Sequence, residues 1–310
     1  MKSQRRDFLM GLAGITGAWE GRPRVSHDSG TGRPAGRQNE KKLSIRDKFW
    51  IWGWKAGALN NQYGLPDTSR MTPAEGAFYL GVPNLILVGL PDPKVPGSWK
   101  PETSDFDAYA ISFRPLKRVV WFIGQGYLRM NAKDLEIVRQ LAQKFPNVDG
   151  VIMDDFFRFT LDGSEVGNLT PDELAYIQGQ LKVDERKLDL WITLYDHNLE
   201  YEIAPYLRHI DVVTYWTPYA KNLEKLREGF ERLEKVAGRR KVLGCYMWDY
   251  GSHSPMPVAL MQKQCELGLQ WLREGRIEGM IFLGSGSCDL ELKAVEWARD
   301  WIQKVGDEKL

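Results

Sequence analysis

Eight short apolar runs recur along the chain at roughly 30-residue spacing, and the stretches between them carry apolar residues every three or four positions. The runs cover residues 49–54, 85–90, 119–124, 150–154, 188–194, 212–216, 242–248 and 280–283. This alternation is the sequence form of βαβ units, in which a strand buried on both faces is followed by a helix that covers it. Eight units predict a closed α/β architecture, the (β/α)8 TIM barrel, and residues 41–310 supply roughly the 250 positions that such a barrel needs as one domain. The competing doubly wound sheet shares the alternation but wants a glycine-rich phosphate loop after its first strand. Here Trp54 is followed by Lys55-Ala56-Gly57-Ala58, without that spacing.

Helix starts are marked with equal clarity. Thr72-Pro73-Ala74-Glu75 and Thr170-Pro171-Asp172-Glu173 each place a capping Thr, a Pro at the first helical position and a Glu that reaches back to the cap. Longer amphipathic stretches at 223–236, 258–274 and 291–304 read as outer-ring helices.

The first forty residues stand apart from this pattern. Ser3 and Arg5-Arg6-Asp7-Phe8-Leu9 precede a mildly apolar stretch over 10–18, a pattern that resembles a twin-arginine export signal. Residues 21–39 are rich in Gly, Arg, Ser and Pro, too poor in apolar side chains to offset their ordering entropy, and read as a flexible leader. The resemblance implies a protein handed to the twin-arginine export machinery and delivered to the periplasm or medium. No run approaches the ~20 apolar residues of a membrane span. Three cysteines, Cys245, Cys265 and Cys288, form no disulfide framework and read as small buried hydrophobes.

In a parallel barrel the reactive face is built where strands end and run into the following loops. The residues at those points are Trp54-Lys55, Pro91-Asp92, Gln125, Asp154-Asp155, Tyr195-Asp196-His197, Tyr215-Trp216, Trp248-Asp249-Tyr250 and Gly284-Ser285, nearly all polar or aromatic. The opposite ends, such as Lys117-Arg118, are ordinary. A net charge of +1, from 42 Lys plus Arg against 41 Asp plus Glu, offers no field for a polyanion and argues against nucleic acid. Twelve tryptophans are the one compositional excess, and several fall at strand ends where an indole could stack on a ligand.

The sharpest chemical feature is the run from Asp149 through Gly150, Asp154, Asp155 and Phe157. Two adjacent carboxylates at a strand mouth repel each other and are desolvated, which raises the pKa of at least one and makes it a general acid. The bland alternative is that one Asp caps the next helix or pairs with Arg158. The Asp-Gly-x-x-x-Asp-Asp pattern on a fourth strand resembles that of (β/α)8 glycoside hydrolases, most nearly the family 84 hexosaminidases. It departs from family 18 chitinases, whose motif ends in a Glu where this chain has Phe156. The family 84 resemblance implies that Asp154 orients a substrate acetamido group and that Asp155 is the acid/base.

A glycosidase ordinarily needs two carboxyls, so Asp249 is a candidate for the second one and Asp196 a further one. Asp249 could instead orient Lys55 or His253, and Asp196-His197-Asn198 could simply cap a loop. Trp54, Trp216 and Trp248 are expected to form a sugar platform, with Lys55, Gln125, Tyr195, Asp196, His197, Tyr215 and Tyr250 as further substrate contacts. No His-x-His, His-Glu-x-x-His or EF-hand spacing points to a metal, and no cofactor is implied. The resulting expectation is an exported hydrolase of glycosidic bonds acting on a carbohydrate. The rivals are a glycan-binding barrel without turnover and a lyase or aldolase using Lys55.

Because a twin-arginine signal is read by a receptor, replacing Arg5 and Arg6 together by Lys is expected to retain the protein inside the cell with its folding unchanged. Fractionation of cells expressing the double variant checks this, and undiminished export would refute it.

Overall fold

The computed structural model describes residues 43–58, 62–89, 103–125, 132–157, 166–238 and 240–310. The expected signal and leader, the Pro91-Asp92 strand end and Arg158 lie outside the described residues. Eight parallel strands close into a barrel: β1 (Phe49–Gly53), β2 (Asn84–Leu87), β3 (Arg118–Gln125), β4 (Val148–Asp154), β5 (Asp189–Tyr195), β6 (Val212–Trp216), β7 (Lys241–Tyr246) and β8 (Gly279–Leu283). Each pairs with its sequence neighbours, and β1 closes the ring on β8 through Phe49↔Met280 to Trp52↔Leu283. A helix follows each strand: α1 (Pro73–Leu80), α2 (Thr103–Ser112), α3 (Ala132–Lys144), α4 (Pro171–Gln180), α5 (Ala204–Leu207), α6 (Leu226–Val236), α7 (Val258–Arg273) and α8 (Lys293–Val305). The (β/α)8 barrel expected from the sequence is therefore the fold, and Ser44–Leu310 forms one compact unit.

The caps form as their residues dictate. Thr72 Oγ1 accepts the Glu75 N–H at 3.3 Å while Glu75 accepts the Thr72 N–H at 2.8 Å, and Thr170 with Glu173 repeats this at 3.2 and 2.7 Å. The run at 242–248 breaks where a single strand was expected. β7 ends at Tyr246, and Trp248–Asp249 instead pairs antiparallel with Ser254–Pro255 in a small hairpin above the barrel.

Alternation along the strands sends every second side chain into the barrel, and this chain fills that space with indoles. Trp50 meets Trp191 edge-on with ring centroids 5.0 Å apart, and Trp52 meets Trp216 at 5.2 Å. Four rings of this size fit only because glycines face them. A Cβ on Gly244 would sit 2.0 Å from the Trp216 ring, one on Gly150 2.9 Å from Trp191 Nε1, and one on Gly279 3.1 Å from Trp50 Nε1. Truncating a buried aromatic ring of this kind costs about 3–5 kcal/mol, so the interior is a packed core and no pore. The alternate residues pack outward on the helices, where Phe230 of α6 stacks on Trp271 of α7 at 4.0 Å. At the strand starts the charges are paired, Arg240 with Asp189 and Glu278, and Arg118 with Asp149. No described helix is long and apolar enough to cross a membrane.

Candidate active site

The last inward position of β4 is Asp154, which rests above the indole layers with 6% of its surface exposed. Its Oδ1 accepts the Asp155 N–H at 3.0 Å, and Thr193 of β5 hydrogen-bonds its carboxyl as well. Burial, with the charge of Asp155 adding to it, pushes Asp154 well above the usual carboxylate range, and the hydrogen bonds only partly offset this.

Asp155 turns the chain out of the barrel in the left-handed region, at φ 47°, where a non-glycine residue is uncommon and Asp is one of the tolerated few. Thr193 Oγ1 accepts its N–H at 2.7 Å, fixing the turn. The Tyr195 hydroxyl donates to its Oδ1 at 2.5 Å. Tyr195 is hydrogen-bonded in turn to Tyr246 at the end of β7. Burial first, then the neighbouring charges, holds both phenols well above their ordinary pKa, so they remain donors.

Several residues singled out from the sequence take other positions. Tyr215 occupies an outward register position on β6: its ring packs on Phe230 of α6 at 6.3 Å, and its hydroxyl lies 2.3 Å from where a Cβ on Gly229 would stand. Strand parity puts Trp216 in the barrel and Tyr215 in the helical layer, so Tyr215 is no substrate contact. The expected indole platform is also corrected. Trp54, Trp216 and Trp248 are 5%, 1% and 3% exposed, which leaves no open ring face for a sugar. Trp216 is floor, its Nε1 donating to Thr214 at 2.8 Å and its ring against Tyr246 at 5.2 Å. Trp248 donates its Nε1 to the Tyr63 carbonyl at 2.9 Å.

Asp249 accepts the Ser252 N–H at 3.0 Å and so closes the turn of its own hairpin, a role neither of its sequence alternatives foresaw. Asp196 opens a 3-10 turn. Burial works against its charge, but hydrogen bonds from His197 and Asn222 hold its carboxyl below the usual range. His197 stacks on Tyr195 at 5.4 Å. Lys55 is exposed, outside the apolar surroundings that a Schiff-base lysine uses. The Gln125 backbone pairs with Asp154 at the strand ends, and its side chain lies outside the described residues. Among the described residues no three His, Cys, Asp or Glu side chains converge as metal ligands.

Three members of the mouth escaped the sequence reading. Thr193 was legible in principle, because it shares strand parity with Tyr195, and Tyr246 because it ends the seventh strand. Tyr63 was not, since it reaches the carboxylates from the loop after β1. The charges of Asp155 and Asp154 add to burial in raising its phenol pKa.

The raised Asp154 carries a stability signature. Its proton affinity is higher folded than unfolded, so its contribution is fully present below the unfolded value of about 3.9 and is lost as pH rises through the folded value. Asp154→Asn does not titrate, and its melting temperature relative to wild type is expected to climb between about pH 4 and pH 8, by roughly 2–4 °C for each kcal/mol relieved. Thermal unfolding across that interval checks this, and a difference that stays flat with pH would contradict it.

Comparison with known proteins places the barrel but not its chemistry. No protein-family model and no curated protein sequence matches the chain. Among solved structures, a protein from Bacteroides thetaiotaomicron assigned as an α-L-fucosidase superposes with a TM-score of 0.51 at 10% identity, covering 93% of this chain and 100% of its own. A xylanase from Cellvibrio japonicus follows at 0.48 and 11%, covering 76% and 86%. A chain of the tryptophan synthase complex of Pyrococcus furiosus gives 0.43 and 14%, covering 86% and 98%. Glycoside hydrolases thus stand among the structural neighbours, and at such identities the likeness establishes the (β/α)8 fold alone.

Proposed function

We propose that the protein is an exported glycoside hydrolase whose acid is the Asp154–Asp155 pair at the end of β4. The observation that carries this is the buried Asp154 beside a second carboxyl that is less buried and held by a phenol. Burial holds Asp154 well above the usual carboxylate range, and Asp155 beside it is the less buried of the two, so the pair presents an acid at the mouth. Hydrolysis needs a carboxylic acid near neutral pH to protonate the glycosidic oxygen as its C–O bond breaks, while a solvent water forms the new C–O bond at the anomeric carbon and its released proton restores the acid. The Tyr195 hydroxyl fixes the direction of the Asp155 carboxyl, and Tyr246 fixes Tyr195.

The surroundings suit a polyhydroxylated substrate. Hydroxyl and indole donors face carboxyl acceptors across an apolar floor, the mixture that recognises a sugar ring. The twin-arginine resemblance of residues 1–40 supports export of the barrel of 41–310 to the periplasm or medium, where extracellular glycans are met.

Acid catalysis of this kind contributes about 10²–10⁴-fold. Asp155→Asn is therefore expected to lose that much kcat/KM on aryl glycosides with poor leaving groups and far less on activated ones, which depart without a proton. In the wild type the rate on poor leaving groups should fall as pH rises through the upper titration of the pair. Equal losses on both substrate types, or a wild-type profile flat from about pH 4 to 8, would exclude the pair as the acid.

A further inference from the structure

Opposite the carboxylates, the mouth is walled by a turn that spends its own strain on aiming one side chain. Tyr63 and Gly64 are both left-handed, at φ 52° and 69°, and a tyrosine rarely adopts that region. The turn is clamped on the hairpin after β7. The Trp248 indole donates to the Tyr63 carbonyl, and a Cβ on Gly64 would lie 2.6 Å from the His253 carbonyl oxygen. The clamped ring stands edge-on to Tyr250 at 5.4 Å and to His253 at 5.6 Å, with its hydroxyl in the field of both Asp155 and Asp154. Tyr250 packs in turn on Trp54 at 6.1 Å.

This wall holds unspent donors. Among the described residues the Tyr250 hydroxyl and the Trp54 Nε1–H are both buried without a hydrogen-bond partner, and the Trp54 side chain as a whole is 5% exposed. Buried polar groups are normally satisfied, so two orphaned donors on adjacent rings call for an acceptor beyond the described residues. Burial keeps the Tyr250 phenol protonated well past neutral pH, so it can only meet such an oxygen as a donor.

Resting on the glycosidase reading, we infer that Tyr63, Tyr250 and Trp54 form the second half of the substrate site, a donor wall that receives the hydroxyl or ring oxygens of a sugar whose opposite edge meets Asp155. Tyr63 and Tyr250 contact substrate, and Trp248 is a positioning residue that holds Tyr63 through its carbonyl. The division of labour is chemical. The β4–β5 side offers the acid pair to the glycosidic oxygen and the β1–β7 side offers neutral donors to the other sugar oxygens, so a neutral polyol bridges the mouth.

Tyr250→Phe and Tyr63→Phe test this because a donor awaiting a ligand and a donor serving the fold respond in opposite ways. Removing the orphaned buried hydroxyl of Tyr250, or the hydroxyl of the exposed Tyr63, should leave the melting temperature unchanged or raised, while kcat/KM on cleaved aryl glycosides falls roughly 5- to 50-fold. Trp248→Phe, which drops the clamp and keeps an aromatic ring, should raise KM more than it lowers kcat. A fall in melting temperature with a matching fall in activity would make the hydroxyls structural and overturn the wall, as would unchanged activity. If the wild type cleaves no aryl glycoside, the glycosidase reading fails separately. The wall is then judged by thermal shift with glucose, galactose, xylose, fucose and N-acetylglucosamine. A shift in wild type that Tyr63→Phe and Tyr250→Phe diminish sustains it, and no shift with any of them overturns it.

Discussion

The indole of Trp216 occupies the space that any side chain at position 244 would need, and most of the upper barrel depends on that exchange of ring for glycine. Because Gly244 yields, Trp216 can lie across the interior against Trp52 and cap the lower pair, Trp50 and Trp191. The barrel therefore ends upward in a dry floor. A carboxylic acid set on that floor is deprived of water on its lower side, and burial is the largest cause of the displaced titration of Asp154. The chemistry at the mouth is in this sense a consequence of core packing two residues deeper.

Above the floor the side chains are polar and mostly committed to one another. Thr193 serves both aspartates, bonding the Asp154 carboxyl and accepting the Asp155 N–H. Tyr246 and Tyr195 form a chain ending on Asp155. Their cost of burial is met by hydrogen bonds on the β4–β5 side and, among the described residues, left unmet at Tyr250 and Trp54 on the other. An asymmetric mouth of this kind is preorganised to hold a proton on one side and to accept ligand oxygens on the other.

The strands and capped helices were legible because they are periodic: period two, period three to four and the Thr-Pro-x-Glu signature are each decided within a few residues. The β4 carboxylate pair was legible for the same reason, being two neighbours in sequence. What failed was facing and distance. Tyr215 was taken for a rim residue because it precedes Trp216, yet only one of two adjacent strand residues can point inward, and the larger indole holds that place. Asp249, weighed as a second carboxylate, commits one oxygen to the turn of its own hairpin through the Ser252 N–H. Tyr63 could not have been found, since it meets its clamp Trp248 across 185 positions of chain and nothing local marks the encounter.

The reactive mouth depends on burial holding Asp154 well above the usual carboxylate range beside a second aspartate. The most direct measurement is carbon-detected NMR of protein labelled at the aspartate carboxyls, titrated from about pH 3 to 9 against the ordinary value near 3.9. One carboxyl signal is expected to titrate well above that value and to vanish in Asp154→Asn. A spectrum in which every aspartate of the barrel loses its proton at or below the ordinary value would contradict the claim.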